Sequence, residues 1–293
     1  FDFALWKKAQ PEHIMRWQSP WGVGYPGWHI EGSAMATKYL GAQFDIHGGG
    51  MDLMFPHHEA EIAQANACHH PHTPGNEARI WMHCNMITIN NKKMGKSYNN
   101  FINLDQFFSG THELLAQAYS PMTIRFFMLQ THYRSTLDFS NDALQAAEKG
   151  YKRMMQAMRL LPSLKASATS SADFAALRQR MYDALNDDLN TAIAIAELFE
   201  AVRSIHAIQQ GTETISQTDL LQLQQWLPVF VSEVLGLADE TDQKSGALDS
   251  VMKVLLELRQ SARAEKNYAL SDKIRNALTE AGIVIKDTAE GSD

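Results

Sequence analysis

The apolar positions change rhythm near residue 120. Before it, short apolar runs such as FALW, FDIH and IWMHCNMITI alternate with helically spaced stretches, in a region rich in Gly, His, Trp and Pro. Runs of this length between helical stretches predict an α/β layer built on a mainly parallel sheet. From Ser120 onward strand signals nearly vanish. Met122, Phe126 and Leu129, then Leu144, Tyr151, Met154, Met158 and Leu161, recur at helical spacing, so the second half reads as all-α.

Local chemistry sets the helix limits. Pro121 suits a first helical turn, Ser140 can cap the helix that opens NDALQAAEKG, and Pro162 stops it. PSLKASATSSAD then reads as a linker. Further helices are expected over roughly 173–188 and 190–210, the second capped by Asn190 or Thr191 and ended by Gly211, and from Thr218 to about Gly236. Beyond the polar DETDQKSG lies a last helix pair, VMKVLLELRQSARAEK and NYALSDKIRNALTEAG, closed by Gly282 and followed by a short β-like tail, IVIKD.

Composition adds limits. With 293 residues and 45% apolar side chains the chain can bury a real core and form two or three domains. It has no apolar run of about 18 residues and no signal-peptide pattern, so a soluble, cytoplasmic protein is expected, with no membrane partner. Cys68 and Cys84 read as two free thiols. A formal charge of −7 argues against wholesale nucleic-acid binding but leaves room for a local basic face. The chain begins without Met, inside a strand-helix pattern, and is expected to be a fragment.

Three stretches could carry chemistry. In HGGGMDLMFPHHEAEIAQ (47–64), the strand FDIH is expected to end at three glycines whose bare backbone can approach a ligand, before a helix start suited to an anion. A nucleotide site at the carboxyl edge of a sheet follows. His57 and Glu61 are four apart on one helical face and are the best metal pair; a capped, solvated polar turn fits the same pattern. In GYPGWHIEGSAMATKYLG (24–41), Trp28 and His29 sit at a helix mouth, either as site residues or as a core Trp beside a surface His. In NNKKMGKSYNN (90–100), Lys93 and Lys96 can offer ammonium groups to a polyphosphate, or form a solvated basic loop.

Taken in order, SPWGVGYPGWHIEGSAM, FDIHGGGMDLMFPHHEAEIAQ, KMGKS, MTIRFFMLQTHYRSTLDFS and ALNDDLNTA resemble the cysteinyl-tRNA synthetases of the class I aminoacyl-tRNA synthetases, over essentially the whole chain. The resemblance implies an α/β part followed by an all-α part. Residues 1–118 would be part of a Rossmann-type nucleotide-binding catalytic domain with a KMSKS-type loop, 119–165 connector helices, 166–240 a DALR-like helical bundle and 241–293 a small anticodon-binding domain. It implies a monomeric cysteine–tRNA ligase acting on ATP with Mg2+, L-cysteine and tRNA(Cys). His47, Gly48, Gly49, Gly50 and Asp52 would line the ATP and adenylate pocket, Trp28 and His47 would meet the cysteine, and Lys96 with Lys93 would hold the phosphates. Zinc would be held by His57, Glu61 and two cysteines; a soft thiolate on zinc would then reject serine without an editing domain, and nothing of that size interrupts the chain.

Three departures stand out. Gly32 occupies the place of one zinc cysteine in the resembled pattern GWHIEC; Cys84 has no geometric claim to replace it. The HIGH motif does not occur in these 293 residues, so the fragment alone is expected to be inactive. Gly95 replaces a serine in the KMSKS pattern, which spares both lysines. For tRNA, the resemblance implies phosphate contacts from Arg125 and Arg134 with His132 and Tyr133, while Asp187 and Asp188 argue against contact at their own position; Phe126 and Phe127 fall on the apolar stripe. In the last helix pair Arg259, Arg263, Lys266 and Arg275 form a basic face, unless that pair is an ordinary solvated one. Two other functions compete: a non-catalytic tRNA-binding fragment, and a mycothiol-type ligase joining cysteine to an amino sugar, against which the long helical region 170–293 speaks.

Overall fold

The computed structural model describes residues 3–68, 77–240, 252, 254–263, 265, 267–280, 287–288 and 291–292. The chain divides into two units, Phe1–Pro228 and Val229–Asp293.

The first unit opens with β1 (Trp6–Lys8) and β2 (Gly24–Pro26), an antiparallel pair. Helix α1 (Trp28–Leu40) then leads to β3 (Gln43–Gly50), α2 (Glu59–Cys68) and β4 (Glu77–Cys84), with β3 and β4 parallel. Next, β5 (Ile87–Ile89) and β6 (Lys92–Lys93) form a hairpin. Asn90 and Asn91 turn it at φ of 48° and 62°, a left-handed pair that asparagine tolerates and that matches the strand twist. A short α3 (Leu104–Ser109) is closed by a capping box between Asn103 and Gln106.

Parallel pairing predominates, as expected, in β3–β4, with antiparallel pairing in β1–β2 and β5–β6. One expectation needs correcting. A further strand, β7 (Leu137–Phe139), lies in the half read as all-α and pairs in parallel with β5. Three residues are too few to show a period of two, so only the partner strand reveals it.

The helical part follows its local signals closely. Ser120 caps α4 (Pro121–Leu129), Ser140 caps α5 (Asn141–Leu160), Asp173 caps α6 (Phe174–Asn186) and Asn190 caps α7 (Thr191–Gln209), each accepting a hydrogen bond from a backbone N–H three residues on. Helix α8 spans Gln217–Val229. Phe126, Met154, Met181, Leu198, Ile205, Leu223 and Leu227 are fully buried, so the densest core of this unit lies among these helices. The segment read as a linker is pinned: Ser170 donates to Asp219, and the Ser216 N–H donates to Ser170 Oγ at 2.8 Å.

In the second unit helical residues run over 254–263 and Tyr268–Glu280, matching much of the expected last pair. Asp287–Thr288 pairs with Gly291–Ser292; Gly282 and most of the β-like tail lie outside the described residues, as does Lys266. Among the described residues no helix is long and apolar enough to cross a membrane.

Candidate functional site

The three glycines run as strand, not as a loop after it. Gly48, Gly49 and Gly50 pair with Met82, His83 and Cys84 as the last rungs of β3–β4. Their small size serves a neighbour: a Cβ on Gly49 would stand 2.7 Å from His58 Cε1 and 3.1 Å from Leu53 Cδ1, whereas one on Gly48 would stand 3.7 Å from the Met82 carbonyl oxygen. His58 is buried, and its Nδ1 is held 2.8 Å from His83 Nε2, so it has little room to retreat. Gly49→Ala is therefore expected to destabilise the fold by about 1–3 kcal/mol and Gly48→Ala by under about 1 kcal/mol. Thermal denaturation of both variants checks this; equal melting temperatures would contradict it.

Around this strand end the fold gathers imidazoles and carboxylates. The turn before α2 brings in His57 and His58, the first turn of α2 brings Glu61, β3 contributes His47, and β4 contributes Glu77, Trp81 and His83. Glu61 is 1% exposed and spans two rings, with Oε1 3.4 Å from His57 Nε2 and Oε2 3.5 Å from His47 Nε2. The other nitrogen of His47, Nδ1, lies 3.9 Å from Glu77 Oε1. Trp28 stacks on His57 at 4.0 Å between ring centroids, and Trp81 stacks on His47 at 4.5 Å. His57 Nδ1 also meets His29 Nδ1 at 2.7 Å.

The electrostatics of this cluster are those of ionisable groups taken from water without compensation. Burial pushes the Glu61 carboxyl up to about 7, and burial together with the Glu61 charge pushes Glu77 up to about 7. Burial and the neighbouring rings bring His58 down to about 4 and lower His47 and His57. Glu61 Oε2, both carboxylate oxygens of Glu77 and His47 Nδ1 lack a hydrogen-bond partner.

A cavity of about 530 Å³ is lined by Trp28, Gly32, His47, Gly48, His57, His58 and Glu61, among others. It unites the residues expected to meet cysteine with those expected to hold metal. Gly49 and Gly48 also border a second, mostly apolar cavity of about 550 Å³ with Met82, Cys84, His132 and Tyr133. Asp52 folds back against Gly50.

The phosphate-binding expectation meets a different geometry. Lys93 lines a separate cavity with Asn90, Tyr98 and Asn100, and Lys96 lies 5.7 Å from the Phe101 ring centroid. Neither lysine lines the two cavities that Gly48 borders. KMGKS hangs from the β5–β6 hairpin, where Asn100 accepts from the Gly95 N–H at 2.9 Å and donates to the Lys93 carbonyl at 3.0 Å. That hairpin belongs to a different sheet from β3.

The basic residues also separate. Arg125 and Arg263 are exposed. Arg134 is exposed and pairs with Asp188 at 2.9 Å, and Tyr133 donates to the same carboxylate at 2.6 Å, so the guanidinium already has an intramolecular anion at the surface. Arg275 pairs with Asp272 at 3.1 Å. Arg259 is 2% exposed and cannot belong to a basic surface; its place on the helix face required the tertiary packing to be known. Sequence reasoning also missed His58, His83 and Glu77 as members of the histidine–carboxylate cluster. The adjacent HH pair was a signal for His58; nothing local signalled the other two.

Residues 1–149 match the family described as the tRNA synthetases class I (C) catalytic domain, and the chain belongs to that family. Residues 180–239 match the DALR domain. Among curated proteins the chain is similar to the cysteine–tRNA ligase of Porphyromonas gingivalis, 56% identical over 296 residues that cover 100% of this chain and 59% of the relative. The cysteine–tRNA ligase of Chlorobaculum tepidum is 47% identical over 301 residues, 99% of this chain and 58% of that protein. The chain thus spans about three fifths of the length of these relatives. Among solved structures, the Agrobacterium radiobacter K84 LeuRS, in a ternary complex with tRNA and LeuAMS, shares the fold at a TM-score of 0.52 and 14% identity, covering 74% of this chain and 31% of that one.

Proposed function

We propose that the chain is the amino-acid-binding and tRNA-contacting portion of a monomeric, cytoplasmic cysteine–tRNA ligase. Such an enzyme joins L-cysteine to ATP as cysteinyl-adenylate, releasing pyrophosphate, and then passes the cysteine to tRNA(Cys). Residues 1–118 would supply part of the catalytic domain, 119–165 the connector, 166–240 the tRNA-binding bundle and 241–293 the anticodon-binding end. The observation that carries this reading is the cavity in which Trp28, His47, Gly48, His57 and Glu61 meet, in a chain 56% identical to a cysteine–tRNA ligase.

In activation the amino-acid carboxylate attacks the α-phosphorus of Mg-ATP, which calls for placement and charge neutralisation rather than a general base. Trp28 and His47 would wall the cysteine, while Gly48, Gly49 and Gly50 with Asp52 would border the adenylate. Lys96 would leave the Phe101 ring to meet the phosphates, with Lys93 beside it. Arg125 and Arg263 would meet tRNA phosphates, and Arg134 would have to exchange Asp188 for one. A thiolate-bearing zinc centre does not fit these residues: position 32 carries no sulfur, and a Cβ there would overlap Glu61 Oε1. No step is assigned to it.

In a version of full relative length, Lys96→Ala is expected to slow ATP–pyrophosphate exchange about 10²–10³-fold while tRNA binding is retained. Exchange at the parent rate would overturn the role of Lys96. A second reading, a tRNA-binding fragment without catalysis, draws support from the placement of the lysine loop on a hairpin of a different sheet from the one that carries the glycines. A version of full relative length separates the two readings: ATP–pyrophosphate exchange there favours the first, whereas salt-dependent tRNA binding with no exchange even at full length favours the second.

A further inference from the structure

Two stretches that the activation chemistry leaves unused, THYRS (131–135) and NDDLN (186–190), meet in space. His132, Tyr133 and Arg134 all end on the carboxylate of Asp188. Arg134 Nε lies 2.9 Å and His132 Nε2 3.6 Å from its Oδ2, and the Tyr133 hydroxyl donates to its Oδ1 at 2.6 Å. These donors are aimed without help from that carboxylate. The Ser135 N–H closes their turn on the His132 carbonyl at 2.8 Å. Asn85, just after β4, ties the turn down: its N–H donates to the Tyr133 carbonyl at 2.9 Å and its Nδ2 to the Arg134 carbonyl at 3.0 Å. The Arg134 N–H donates to His132 Nδ1 at 3.2 Å, which leaves the proton of the neutral ring on Nε2, facing the anion. The His132 and Tyr133 rings stack at 4.8 Å, and the Arg134 guanidinium lies 5.7 Å from the Tyr133 ring centroid.

The carboxylate is held less firmly than the donors around it. Asp188 and Leu189 stand at φ of 58° and 53°, consecutive left-handed residues, a conformation that aspartate tolerates and leucine disfavours. The pair is open to water, with 39% of the Asp188 side chain and 62% of the Arg134 side chain exposed, so it is screened and readily exchanged. Arg134 meets Asp188 and the Tyr133 hydroxyl through Nε, and its Nη groups stay outside these contacts. A phosphodiester carries the same single charge on two unbridged oxygens, which a guanidinium can grip through two parallel N–H bonds. It therefore offers Arg134 one more bond than Asp188 does.

We propose that His132, Tyr133 and Arg134 form a seat for a nucleic-acid phosphate, and that Asp188 is its resident anion, displaced when the nucleic acid binds. The inference rests on the reading of the chain as tRNA-contacting and adds a brake to it. Binding must first break the Asp188 contacts, so affinity lies below what the seat alone would give. Displacement also releases the turn between α6 and α7 from residues 132–134.

Fluorescently labelled tRNA, titrated with the 293-residue chain at several salt concentrations, tests this. Asp188→Asn keeps the side-chain shape and suits the left-handed turn but carries no charge. It is expected to tighten binding about fivefold near about 0.1 M salt and to steepen the salt dependence by up to about one ion. Arg134→Ala should weaken binding and abolish the gain from Asp188→Asn, as a coupled pair requires. Asp187→Asn removes the same charge one residue away, outside the seat, and should change affinity less than about twofold. Circular dichroism identifies a variant that fails to fold, and Asp188→Gly, suited to the same turn, then stands in for Asp188→Asn. Unchanged or weaker binding by the folded Asp188 variant, an equal gain from Asp187→Asn, or a gain that persists without Arg134 would each overturn the seat. No tRNA binding by the unmutated chain would overturn the tRNA-contacting reading and this inference with it, whereas binding without the Asp188 effect overturns the inference alone.

Discussion

Phe126→Ala is expected to lower the free energy of unfolding by about 3–5 kcal/mol, a large fraction of what holds a domain together. Phe126 is 0% exposed, and its ring centroid lies 6.3 Å from that of Tyr151 on α5 and 6.1 Å from that of Phe199 on α7. A Cβ on Gly150 would stand 3.2 Å from Phe126 Cε1, so α5 carries a glycine where the phenyl ring presses closest. Truncating that ring removes buried contact for three helices at once and leaves a hole that well-capped helices cannot close by sliding. Two residues along the same helix, Met128 is 48% exposed. Met128→Ala should cost under about 1 kcal/mol. Urea denaturation of the two variants measures the contrast, and equal midpoints would refute the assignment of Phe126 to the centre of the helical core.

Glu61→Gln is expected to act in the opposite direction, and only at higher pH. In the folded chain the Glu61 carboxyl titrates at about 7 rather than 4.5, because burial disfavours its charge. A carboxyl raised in this way stabilises the fold while protonated, and that contribution is lost as pH rises from 4.5 through about 7. Glutamine keeps the shape and carries no charge. In metal-free samples the variant should therefore match the parent near about pH 4 and melt several degrees higher near about pH 8. Glu77, whose carboxyl is also raised by the Glu61 charge, shifts the comparison in the same direction once that charge is gone. His58 works against both in the parent: its folded value of about 4 means stability is lost as pH falls from 6.5 towards 4. Because His58 is present in parent and variant alike, the difference between them isolates the carboxylates. A melting difference that does not change with pH would sink this account of the site.

What the chain reveals locally is considerable. Ser120, Ser140 and Asn190 cap the helices assigned to them, because a cap needs only a side-chain oxygen and a backbone N–H three residues away. Phe126 and Phe127 are buried, as their place on an apolar stripe requires. His57 and Glu61 do face each other, since one helical turn brings positions four apart together.

Tertiary structure decided the rest. That GGG is paired strand, that Lys93 and Lys96 hang from a different sheet, that Arg259 is buried and that Asp188 occupies Arg134 all depend on which distant segments meet. The same holds for Glu61, whose second oxygen faces a histidine fourteen positions earlier on β3. Periodicity and capping are short-range and survive in any fold containing the segment, so the sequence alone determined element type, helix limits and candidate chemistry. Strand register and the approach of α1 to α2 are long-range, and they alone determined which of those candidates share a cavity.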